Sequence, residues 1–265
     1  MTDHEITAAQ RRAVDGHELT TELGIDDEEI AWRKSFTRFD GTDADRLAAM
    51  SETFDRIADD LVTEFYDHLG SFADSQAVLD GSPKSVEALE ASQAGYLRDL
   101  GAGEYDRSYF DRRARIGKVH DVLDMGPKFY LGAYAVYYRG IVDAVAEDVL
   151  DELRAGELDG VDTGVTDGGV EAPADGATGP SGDGVVDTVE TALDAATDRI
   201  TSVMKLLLLD QQVAMDTYLH SYNERVQAAA DRRRDLAATV TEEVAAPLTD
   251  LAAEASETVD TAEPG

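Results

Sequence analysis

The stretch from Tyr105 to Tyr138, YDRSYFDRRARIGKVHDVLDMGPKFYLGAYAVYY, constrains the fold more than any other part of the chain. Tyr105, Tyr109, Ile116, Val119, His120 and Leu123 fall on one stripe of a helix, so His120 points inward. Gly126 followed by Pro127 reads as a stop and a restart. Glycine can take the left-handed position past a helix end, and proline suits the first turn of the next helix. Tyr130, Tyr134, Tyr137, Tyr138, Ile141, Val145 and Val149 then continue as a second helix facing the first. An inward histidine is either a satisfied core residue or, as neutral imidazole, a metal ligand, and helical spacing alone leaves both readings open.

The 265 residues suit one large domain with an appendage. Hydrophobic residues make up 43%, enough for a core, while Asp and Glu outnumber Lys and Arg by 56 to 23 for a formal charge of -33. Such a chain repels nucleic acid and anionic membranes, which excludes both as partners. A sequence pI near 4.2 suits concentrated salt, where the Debye length shrinks to roughly 3 Å at 1 M. The expectation is a halophile's cytosolic protein. Without cysteine, disulfides and thiolate-bound metals are excluded. The N-terminus MTDHEITAAQRR has no apolar signal core, and the run Leu206 to Leu209 is too short to span a bilayer. A cytoplasmic location follows.

Residues 1–23 are polar and read as a flexible N-terminus, with His4 and His17 exposed among charges. From Gly24, GIDDEEIAWRKSF forms a short helix capped by Asp26. Ile30, Trp32 or Arg33, and Phe36 are expected to press it on the main body, Trp32 as a packing anchor. Between Asp43 and Leu69, the stripe Leu47, Met50, Phe54, Ile57, Leu61, Phe65 and Leu69 is long enough for two helices with little or no loop. Tyr66 sits at its inward edge and His68 turns to the surface. Ser82-Pro83 is expected to open the next helix, Ser82 as its cap, with Val86, Leu89, Gln93, Tyr96 and Leu97 on the apolar side and Ser92 beside them.

Residues 156–185 are rich in Gly, Asp and Thr and too poor in large apolar groups to offset the entropy of ordering, so they read as a disordered insertion. The helix after it carries Val189, Leu193, Ile200, Val203, Leu207, Ala214, Tyr218 and Tyr222, more apolar surface than one side needs. His220 reads as a surface or interface residue there. Residues 228–265 form a helical extension interrupted at Pro247, with only a thin stripe of Val240, Val244, Leu248 and Leu251.

The pattern RIGKVH, then DMGPKFYLGAY, with a tyrosine ten positions after the histidine, resembles the proximal segment of globin-coupled sensors and protoglobins. It is most similar to the sensor domain of the haloarchaeal haem-based aerotaxis transducers. The resemblance runs from about Gly24 to Arg154 and resumes from about Val186 to Arg225. It implies an all-α, globin-like sensor fold over residues 24–227, with an extra N-terminal helix and, in this chain, the long insertion before the last globin helix.

It also implies a haem b whose iron, in the absence of cysteine, is bound by His120, with Tyr130 beside it on the proximal side. Tyr66 stands where the family places a distal hydroxyl that can hydrogen-bond bound O2. Ser92 stands where the family often has threonine near the ligand. A core ring at Tyr66 and a small helix-contact residue at Ser92 are the plainer alternatives. Arg112, Arg113, Arg115 and Lys118 can meet haem propionates or form a solvated face. The implied function is a non-enzymatic sensor of O2 or another diatomic gas. It would signal through a homodimer of the last two globin helices to a chemotaxis partner, since in the transducers a segment like 228–265 leads into a methyl-accepting coiled coil. Two other classes stay open: a haem-free helical interaction module, and a haem enzyme acting on nitric oxide or peroxide.

Overall fold

Asp15, Asp26, Asp40, Ser85 and Asp106 each accept hydrogen bonds from the first free amides of a helix, and these caps set where the helices begin. The computed structural model describes residues 13–156, 158 and 182–261. Among them the chain forms α1 (Gly16–Glu22), α2 (Asp27–Phe36), α3 (Gly41–Ala49), α4 (Ser51–Gly70), α5 (Ala73–Asp80), α6 (Val86–Asp99), α7 (Arg107–Val122), α8 (Pro127–Ala155), α9 (Gly182–Val240) and α10 (Ala246–Thr261). No strand occurs among the described residues, so the all-α expectation holds.

The chain divides into two compact units, Met1–Tyr218 and Leu219–Gly265. In the first unit α4 packs on α6 and α8, and α1 lies on α7. Phe54, Leu97, Tyr109, Phe110, Ile141 and Leu206 are fully buried between them. Only Met50 separates α3 from α4, as the continuous stripe required. The second unit is helical. A π-helical turn, Thr241–Ala245, precedes Pro247, whose ring excludes the carbonyl four residues back and breaks the regular ladder. Leu236, Val240, Val244, Leu248 and Leu251 are exposed.

Several local expectations are corrected. Residues 16–22 are helical, because Leu19 and Thr20 bury against α7 and Thr20 donates a hydrogen bond to Asp111. On α2, Ile30 and Arg33 face inward, whereas Trp32 and Phe36 are exposed and stack on each other at 4.9 Å. Residues 30 and 33 share a face, and 32 and 36 share another. Arg33 was the better choice because Asp216 meets it at 2.7 Å and Glu29 at 2.8 Å. Ser85, not Ser82, caps α6. The left-handed residue between α7 and α8 is Asp124 (φ 53), while Gly126 is extended and precedes Pro127 at the first turn of α8. His4 and most of the 156–185 insertion lie outside the described residues.

Two features dock α9 on the first unit. Asp43 closes a capping box with Asp40 and also accepts hydrogen bonds from Ser202 Oγ at 2.7 Å and Lys205 Nζ at 2.9 Å. Burial alone would raise the Asp43 carboxyl. Hydrogen bonds from Lys205, Ser202 and the Asp40 amide, with the Lys205 charge, outweigh it and hold the group below its usual value. At Gly117 on α7, an added Cβ would stand 3.0 Å from the Ala214 Cα and from Thr217 Oγ1. The glycine therefore sets how closely α7 and α9 approach.

Gly117→Ala should destabilise the protein by about 1–3 kcal/mol through overpacking. Gly132→Ala, at a helical site with open space around it, should stabilise it by about 1 kcal/mol. Urea midpoints of the two variants check both signs. Because the folded carboxyl of Asp43 lies below its ordinary 3.8, its contribution is present above that pH and disappears as pH falls through the folded value. The destabilisation caused by Asp43→Asn should therefore be largest near neutral pH and shrink below about pH 3.8, as followed by urea unfolding of both proteins across pH.

Candidate ligand pocket

A mainly apolar cavity of about 240 Å³ opens among α4, α5, α6, α7 and α8. Tyr66, Ser92, His120 and Tyr130, which lie far apart in the sequence, all line it. The amphipathic stripes explain the convergence. Tyr66 follows buried Phe65 on α4, His120 lies in the last turn of α7, and Tyr130 lies in the first turn of α8 on the same inward face as Tyr134 and Tyr137.

His120 is held by its own helix, with Nδ1 at 2.8 Å from the Ile116 carbonyl oxygen. A carbonyl only accepts, so Nδ1 carries the proton and Nε2 keeps its lone pair. Burial lowers the pKa of the ring, and the Ile116 bond opposes this only in part, so the imidazole stays neutral. The Tyr130 ring meets it edge to face at 5.4 Å. A neutral imidazole with one nitrogen fixed as donor and the other free is the arrangement of a metal-ligating histidine.

Tyr66 is half-buried, and burial together with the charge of Glu90 pushes its phenol up to about 12, so it keeps its proton. Ser92 sits at an exposed part of the lining. Its hydroxyl donates to the Ala88 carbonyl at 2.9 Å and accepts from Lys84 Nζ at 2.7 Å. Its one proton is thus committed to backbone. Tyr137 also lines the cavity, its hydroxyl buried beside the Gln93 side chain.

Of the cations expected near the pocket, Arg115 and the unanticipated Lys84 line it. Arg112 pairs instead with Asp99, and Lys118 lies 4.0 Å from Asp121. Arg113 is 3% exposed and sits 3.2 Å from Asp210 of α9, which is 1% exposed. Its guanidinium stacks over the rings of Tyr109 at 4.1 Å and Tyr96 at 4.5 Å. Tyr96 donates to Asp210 Oδ2 at 2.8 Å, and the Tyr96, Tyr134 and Tyr130 hydroxyls lie 3.2 and 3.0 Å apart in turn. Sequence reasoning missed this network. Its signal was present: Arg113 lies on the stripe of Tyr109, Ile116 and His120, and Asp210 interrupts the apolar run from Leu206 to Ala214.

Neither His17 nor His68 lines the cavity. His17 is exposed beside Asp111 at 3.2 Å, His68 is exposed against the Phe72 ring, and His220 lies 3.6 Å from Glu224. No cluster of three metal-ligating side chains occurs among the described residues, and no helix among them is long and apolar enough to cross a membrane.

The globin domain of a Geobacter sulfurreducens globin-coupled sensor superposes with a TM-score of 0.51 over 71% of this chain and 96% of that domain. At 16% identity it speaks to the fold alone, and it agrees with a globin-like sensor fold. The heme-based aerotactic transducer HemAT of Halobacterium salinarum is 42% identical over 251 residues, 95% of this chain. The chain spans 45% of that protein's length. The sequence profile of the Protoglobin family matches residues 26–224, a span that includes every residue of the cavity, and the chain belongs to the protoglobin family.

Proposed function

We propose that this chain binds haem b through His120 and reversibly holds a diatomic gas, O2 foremost, as the sensing part of an aerotaxis system. The observation that carries the reading is the neutral His120 ring, its Nδ1 proton given to Ile116 and its Nε2 free, in the wall of a largely apolar cavity. That donor set fits haem, which takes one imidazole nitrogen as a protein ligand. Bound haem supplies the iron at which a diatomic gas is reversibly held. Lys84 and Arg115 are the cations in the lining that suit its carboxylates. The 42% identity to a heme-based aerotactic transducer supports the same cofactor and role.

The protein's own contribution is to orient and discriminate. Ile116 fixes the tautomer of His120, and Tyr130 limits the tilt of the imidazole. The Tyr66 hydroxyl is a protonated donor that can meet the partial negative charge of O2 and is of little use to CO, which is nearly apolar. Ser92, bonded to Ala88 and Lys84, is the weaker candidate for that contact. The likeness to an aerotactic transducer supports a sensor over an enzyme.

A homodimer fits the outer face of α9, where Leu193, Met204 and Leu208 are exposed, together with Val142 and Leu150 of α8. Signalling to a chemotaxis partner would run through that dimer. With a net charge of -33, folding and assembly in a concentrated-salt cytoplasm complete the reading.

His120→Ala should lose the Soret band after reconstitution with haem, while His17→Ala, His68→Ala and His220→Ala keep it. An unchanged spectrum in His120→Ala would remove the basis of the proposal. Tyr66→Phe keeps the ring and removes one donor. A hydrogen bond of about 1–3 kcal/mol, at about 1.4 kcal/mol per tenfold, corresponds to O2 leaving roughly ten- to a hundredfold faster. CO dissociation should stay within about threefold, since CO makes little use of the donor. Stopped-flow displacement measures both rates, and equal O2 rates in the two proteins would make Tyr66 a packing residue.

A further inference from the structure

The polar groups behind the pocket can be followed proton by proton. Arg113 is a permanent cation, and the Asp210 carboxyl 3.2 Å away is its buried counter-ion, raised by burial and drawn back by the guanidinium. Asp210 Oδ2 can then only accept, so the single proton of Tyr96 is committed to it at 2.8 Å. The Tyr96 oxygen must accept from Tyr134 at 3.2 Å, and the Tyr134 oxygen must accept from Tyr130 at 3.0 Å. Burial raises all three phenols, so each keeps the proton it donates. The charge on α9 therefore orders the whole row, and Tyr130 sends its proton away from His120 and turns lone pairs toward the pocket.

A second contact on α9 reaches the same corner. Tyr218, two helical turns beyond Asp210, donates to the Met125 carbonyl at 2.6 Å, and its ring meets that of Tyr130 at 6.2 Å. The Met125 amide in turn donates to the His120 carbonyl at 3.0 Å. Both ends of the His120–Tyr130 turn are thus tied to one helix.

We propose that Asp210 and Arg113 are positioning residues: the Asp210 carboxylate sets the direction of the Tyr130–Tyr134–Tyr96 hydroxyl row, and through it couples the His120 side of the pocket to α9. Any movement of Tyr130 would break or stretch the row, and α9 would register the change at residue 210. An asparagine at 210 can donate from its amide to Tyr96, which reverses the row, and an apolar residue there ends it. The inference rests on the haem-binding reading given above.

The test uses the full chain, reconstituted with haem and reduced, with and without CO. Hydrogen exchange is followed on the α9 amides of residues 203–218. In the wild type, CO should change exchange over these residues. Asp210→Asn should keep the Soret band and lose the CO-dependent difference. Since Asp210→Asn leaves Arg113 buried beside a neutral group, a second variant, Arg113→Met with Asp210→Leu, removes both charges and keeps the volume. It should show the same loss. A purely structural role would shift exchange equally with and without CO and leave the difference intact.

Retention of the CO-dependent difference in either variant would overturn the coupling. So would its absence from a haem-loaded wild type, which leaves the haem reading standing. Loss of the Soret band from both variants would assign the pair to seating the cofactor and overturn the coupling as stated. A wild type without a Soret band would instead sink the haem reading, and this inference with it.

Discussion

The pairing of Arg113 with Asp210 is the constraint on which the pocket's position depends. Two charges taken out of water are costly unless each meets the other. Here Asp99 takes a second edge of the guanidinium at 3.1 Å, the Tyr96 and Tyr109 rings cover its planes, and Tyr96 donates to Asp210 Oδ2, while Asp210 Oδ1 is buried without a hydrogen bond among the described residues. Breaking such a pair from one side costs about 3–5 kcal/mol, far more than an exposed ion pair contributes. The geometry is reached only because Gly117, one turn further along α7, lets α9 come within contact of the backbone. His120 follows three residues later on that same helix, so the register of α7 against α9 places it in the pocket wall.

The apolar stripes made most of this fold legible. Period and spacing located α4, α7 and α8 and put Tyr66, His120 and Tyr130 on inward faces, because side-chain position on a helix follows from residue number alone. Polar residues on the same faces were harder to read. Arg113 and Asp210 look like two more surface charges in a chain of charge -33, and only the contact between two helices 97 positions apart tells them from the rest. The choice between Trp32 and Arg33 failed for a related reason. Hydrophobicity pointed to the indole, yet Asp216 made the guanidinium the residue worth burying. Caps were misjudged where two serines compete: Ser82 precedes Pro83 as a helix start should, but Ser85 is the one three residues before an amide it can accept from.

The lining divides its labour by helix. Tyr66 of α4 and Ser92 of α6 are hydroxyls from the helix pair α4–α6, while His120 and Tyr130 flank the turn that joins α7 to α8. On the proposed reading, the groups that would tell one gas from another and the groups that would hold the cofactor reside on different helices. A substitution of Tyr66 on α4 can change the pocket's hydroxyl without disturbing His120. The reverse does not hold, since Tyr130 touches both the imidazole and the polar row leading to α9.

Within the first unit α9 is tied at charged points along its length: Asp198 to Arg46 and Lys205 to Asp43 on α3, Arg199 to Glu152 on α8, Asp210 to Arg113 on α7, and Asp216 to Arg33 on α2. From Asp198 to Asp216 they span 18 residues, about 27 Å at 1.5 Å per residue. Ties to four different helices at several heights fix the helix against rotation about its own axis, because any turn large enough to matter would break them together. A disturbance at one height, such as Asp210, leaves the others as pivots, so the response available to α9 is a tilt. Met204 and Leu208 lie exposed on the face away from these ties, and a tilt changes their angle to whatever packs there while leaving them on the outside. A pinned inner face and an apolar outer face on one helix are what a transmitting element requires.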